Sequence, residues 1–94
     1  MMTFKEIEDK IAQVEIDKGK VIGVDISGMV MYGPPLKMGH VRIVVDVKVP
    51  KYEEYDAAKV VIEDRIEEVV GTRPEHVMDD GHLIHWTIPR SALS

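Results

Sequence analysis

The stretch HVRIVVDVKVP, His40 to Pro50, decides how the chain is read. Val41, Ile43, Val45, Val47 and Val49 take every second position, with His40, Arg42, Val44, Asp46 and Lys48 between them. Successive side chains of an extended strand point to opposite faces, so this spacing puts an unbroken aliphatic row on one face. β-branched residues also suit a pleated surface. Such a row needs a cover, and the neighbouring segments are read for what supplies it.

Just upstream, VIGVDISGMVMYG (residues 21–33) also alternates: Ile22, Val24, Ile26, Val30 and Tyr32 against Gly23, Asp25, Ser27, Met29 and Met31. GPPLKMG then turns the chain, because two prolines between glycines do not fit a helix or a paired strand. Two strands joined this closely make an antiparallel hairpin. Further upstream, TFKEIEDKIAQVE has helical spacing, with Phe4, Ile7, Ile11 and Val14 on one face. Thr3 and Glu6 have the separation of a capping box, and the segment IDKGK, with Gly19, is expected to end the helix.

Downstream, KYEEYDAAKVVIEDRIEEVVG predicts a second helix with a buried stripe of Tyr55, Ala58, Ile62, Ile66 and Val69, and Val61 beside it. Gly71 is placed to cap its C-terminus, with Pro74 following. A loop through HVMDDG then leads into HLIHWTIP, a third strand with Ile84, Trp86 and Ile88 facing the core.

Helix, strand, strand, helix, strand makes one α+β domain over residues 1–94, a two-layer αββαβ sandwich. The second strand is expected at the centre, parallel to the third through a right-handed crossover. The helices are expected over the valine row. The opposite face would then carry Asp25, Met29, Met31, Arg42, Val44, Asp46, Leu83, His85 and Thr87 without cover. Monomers rarely expose large contiguous apolar patches, so a homodimer contact through Met31 and Leu83 is expected.

Composition narrows the function classes. A net charge of −5 argues against a nucleic-acid partner, since phosphate contacts need a basic face. The chain has no cysteine, which removes thiolate ligands and thiol nucleophiles. No apolar run is long enough for membrane insertion, and MMTFKEIEDK carries charges where a signal peptide has its apolar segment. A cytoplasmic protein is expected. The absence of Asn and the single Gln13, beside many Lys and Glu, match the bias of thermophile proteins.

Three of the four histidines lie in HVMDDGHLIHWTIP. Imidazole and carboxylate are ligands for zinc and similar divalent cations, and His76, Asp80 and His82 are near enough in sequence to converge. Asp-Asp-Gly is equally an ordinary turn, with Gly81 supplying positive φ. His82 and His85 are three apart on a strand and point to opposite faces, so they cannot share one ion. His85 shares its expected face with Asp25 and Asp46, which makes a second candidate cluster; pairing of those acids with Arg42 and Lys48 is the plain alternative. No nucleophile elbow or phosphate loop is present, so no catalytic residues are assigned and the chain is read as non-enzymatic.

VIGVDISGMVMYG, VRIVVDVKVP and HLIHWTIP together resemble the strands of the cytoplasmic C-terminal domain of cation diffusion facilitator transporters, over about residues 3 to 90. The resemblance implies a ferredoxin-like or metallochaperone-like fold with a three-stranded mixed sheet. It further implies a dimeric module that binds zinc or another divalent cation and contacts a membrane transporter. The resemblance implies His85 as a metal ligand, so the candidate metal residues are His76, Asp80, His82 and His85, not all on one ion. AAKVV stands where that family often carries an alanine-histidine pair, so the helix ligand is missing here.

Overall fold

A computed structural model of the chain describes residues 2–29 and 33–93. The elements are α1 (Phe4–Ala12), β1 (Lys20–Ser27), β2 (His40–Lys48), α2 (Glu54–Val70), β3 (Glu75–Asp80) and β4 (Leu83–Pro89), closed by a 3-10 turn at Arg90–Leu93. The helix ends follow local chemistry. Thr3 Oγ1 accepts from the Glu6 amide at 3.1 Å, and Glu6 Oε1 accepts from the Thr3 amide at 3.2 Å. α2 stops at Gly71, whose φ of +81° lets its amide turn back to the Glu67 carbonyl at 2.7 Å.

The aliphatic row of β2 is the centre of the core. Val41, Ile43, Val45 and Val47 are fully buried, as are Ile84, Trp86 and Ile88 of β4. Ile7 and Ile11 of α1, with Ala58, Ile62 and Ile66 of α2, complete one cluster with them. Burying each of these larger side chains is worth about 1.5–3 kcal/mol. Trp86 finds a partner for its one polar atom: Nε1 donates to Glu63 Oε1 at 2.9 Å.

The sheet differs from the expected one. It has four strands in the order β1-β2-β4-β3, and every neighbouring pair is antiparallel, so it is neither three-stranded nor mixed between neighbours. Residues 75–80 were expected as a loop; they form β3, and the turn is only Gly81–His82. Gly81 has φ +61°, and among the described residues only glycines have positive φ; glycine at the first position of a two-residue turn is the pattern of a type II′ hairpin. The second strand is interior as expected, but its partner β4 is antiparallel to it. The parallel strand reached through α2 is β3, and β4 doubles back into the gap between β2 and β3. The crossover reasoning thus applied to a pair of strands that are not adjacent.

β1 also departs from strict alternation. Its register with β2 shifts between Val21 and Gly23. Ile22 is the bulged residue and is 57% exposed, while Val21 takes its place against the core. Val61 likewise lies at the surface of α2. Val30, Met31 and Tyr32 lie outside the described residues.

Candidate functional site

The structure separates the four residues expected to hold a metal. His76 sits on the core side of β3, its ring edge-on to Trp86 at 6.2 Å between centroids. Its Nε2 hydrogen-bonds Asp79 Oδ1 at 2.8 Å, and Lys59 Nζ reaches Asp79 Oδ2 at 2.9 Å. Burial pushes the Asp79 carboxyl up, but the bonds from Lys59 and His76 outweigh it and hold its pKa below the ordinary value. Asp80 is exposed on the other side of the same strand. His82 is in the hairpin turn, and His85 is buried on the sheet face that turns away from the core cluster. Among the described residues no group of three or more histidine, aspartate or glutamate side chains could hold a metal ion. Asp25 and His85 share a face, but Val44 stands between them in the register, and Asp46 is engaged by His82.

That face was expected to be bare. It is partly covered: the chain at Gly33 and Pro34 crosses it above Arg42 and Met78. Arg42 is only 3% exposed and His85 only 4%. Arg42 Nη2 donates to the Pro34 carbonyl at 2.8 Å, and Nη1 donates to His85 Nδ1 at 3.2 Å. A Cβ at Gly33 would stand 2.5 Å from Met78 Sδ, so glycine permits this close approach. Burial, then the positive charge of Arg42, push the His85 pKa below its ordinary value. The ring is therefore neutral near pH 7, which is what lets Nδ1 accept from a guanidinium. Arg42 Nε has no hydrogen-bond partner among the described residues, and no carboxylate among them pairs with this cation. An arginine in the middle of the most apolar strand was the sequence signal for this pair.

At one end of the sheet lies an open depression of about 280 Å³, lined by Ile22, Asp46, Val47, Lys48, Val49, Tyr55 and His82. The β1 bulge throws Ile22 into its wall. His82 Nδ1 meets Asp46 Oδ1 at 2.5 Å, and the backbone beneath is fixed by the Val47 amide bonding the His82 carbonyl at 3.0 Å. Tyr55 Oη donates to the Val47 carbonyl at 3.3 Å. Burial, then the charges of Asp46 and Asp79, raise the Tyr55 pKa. Neither Tyr55 nor the pairing of Asp46 with His82 was anticipated, because both depend on where the fourth strand places the turn.

The acidic face of α2 is answered internally. Arg73 reaches Asp64 at 2.8 Å, Glu67 at 3.0 Å and Glu63 at 3.2 Å, and Arg65 pairs with Glu68 at 2.9 Å. No helix among the described residues is long and apolar enough to cross a membrane.

No family model, curated protein or solved structure matches the chain. The likeness to the cation diffusion facilitator domain rests on the residue patterns quoted above.

Proposed function

We propose that the chain is a non-catalytic assembly domain that pairs with a second copy of itself through the sheet face turned away from the core. In this reading helices and sheet form two layers, and the second copy supplies the third. The observation that carries it is Val44 beside Leu83, two half-exposed aliphatic side chains at diagonal positions on that face. A two-fold contact sets like patches against each other, so Val44 and Leu83 of one copy would meet those of the other.

The test is light scattering at about 100 µM, where a contact worth roughly −5.5 kcal/mol is half formed. Twice the chain mass is expected, with Leu83→Lys returning the protein to single-chain mass and an unchanged circular dichroism spectrum. A wild-type protein of single-chain mass at that concentration overturns the reading.

A further inference from the structure

We infer that the depression between Ile22 and Tyr55 is a binding site for a small aliphatic ammonium ion, with Asp46 as its charge partner. The seat is built by features that the core does not require. Ile22 is a large aliphatic side chain left 57% exposed by a bulge, and it forms the wall rather than part of the interior. Val49 contributes an apolar floor, and the Tyr55 ring is held in place by its hydroxyl bond to the Val47 carbonyl. Gly23 is the register partner of Asp46, and nothing stands within 4 Å of where its Cβ would be. Gly23 itself therefore sets no side chain over that carboxylate. The volume of about 280 Å³ corresponds to about nine liquid waters at about 30 Å³ each, enough for a short alkyl chain and its head group.

Asp46 is the one carboxylate of the lining and Lys48 its one ammonium. Asp46 Oδ1 is taken by His82, and Oδ2 has no donor among the described residues. The Asp46 side chain is 30% exposed and that of its partner His82 is 64% exposed. Lys48 ends its strand exposed on a long flexible stem, so its ammonium can stay in water while its methylenes edge the site. An alkylammonium would donate to Asp46 Oδ2 and lay its chain over Ile22, Val49 and the Tyr55 ring. It meets a carboxylate at one end and apolar walls elsewhere, the division of labour usual in small-ligand sites.

The test titrates the full chain with n-butylammonium chloride, n-butanol and sodium butyrate, followed by amide chemical shifts. Butylammonium is expected to move the Val47, Val49 and Tyr55 amides saturably, and more tightly than either other probe. Asp46→Asn should weaken it by about tenfold or more, the usual size of a hydrogen bond to a charged group. His82→Ala should tighten it by removing the competing partner. Ile22→Ser, at an exposed position, should weaken it without touching the core, and keeps the test decisive if Asp46→Asn does not fold. Equal or tighter binding of butyrate overturns the inference. So does unchanged affinity in both Asp46→Asn and Ile22→Ser, a response to zinc chloride alone, or no saturable shift with any probe.

Discussion

β2 and β3 run parallel in one sheet, separated by a single strand, and are held there by different means. β2 contributes four fully buried aliphatic side chains. β3, with the sequence EHVMDD, contributes no fully buried side chain: Val77 and Met78 are half-buried and the other four are exposed. The first is a strand because its own side chains demand a core. The second is a strand because β4 offers it a hydrogen-bonding edge across a two-residue turn. An interior strand thus writes its conformation in its residues, while an edge strand can borrow it from its neighbour.

The largest effect should follow from attacking the first mechanism. Val45→Asp places a carboxylate in the fully buried row without a partner, at a cost of several kcal/mol. A domain has only about 5–15 kcal/mol in total. Loss of the folded circular dichroism spectrum is expected; a soluble variant with an unchanged melting temperature would mean that the β2 row is not the core.

A smaller, local effect should follow from attacking the second. Gly81→Val puts a β-branched side chain at φ +61°, which costs about 1–2 kcal/mol. Urea denaturation should register that loss. Hydrogen exchange should speed up at β3 amides more than at Ile43 and Val45. Equal acceleration in both strands would remove the distinction between them.

The difference between these strands also explains what could be read in advance. Val41 to Val47 at period two, the Thr3–Glu6 capping box and Gly71 as a helix terminator are local signals, and each appears in the fold as read; the strand stops at Lys48, one residue short of Val49. β3 has one β-branched residue, Val77, and it falls where the register slips between His76 and Met78, so alternation is broken at the only place it would show. Without β3, the crossover from β2 was assigned to the wrong strand. The histidines failed as a cluster for the same reason. Read as a loop, His76, Asp80 and His82 were free to converge; on a hairpin, they point to three different environments. The pairing of His82 with Asp46 joins positions 36 apart in the chain, which no local pattern announces.

The smallest effect concerns the face of β2 that its valines do not use. His85 has a folded pKa below its unfolded value, so the unfolded chain binds the extra proton first. Its contribution to stability is fully present above about pH 6.5 and is lost as pH falls from there through the folded value. Melting temperature should therefore decline between about pH 7.5 and 5, and the decline should flatten in His85→Gln. A wild-type protein whose stability is level across that range would show that Arg42 and His85 do not share the buried contact.

One bond at the far side of the sheet has a consequence for behaviour at high concentration. Glu8 of α1 sends its Oε2 to the Ile26 amide of β1, at 2.8 Å. That amide belongs to the outer margin of an outermost strand, where another chain could otherwise dock and extend the ribbon. The helix carboxylate occupies it, and the bulge at Ile22 bends the same margin away. The Ile26 amide is thereby closed to strand-to-strand pairing with another copy at this edge. At the opposite margin, exposed Asp80 sets a carboxylate on the outermost strand β3, the kind of charge that discourages edge pairing.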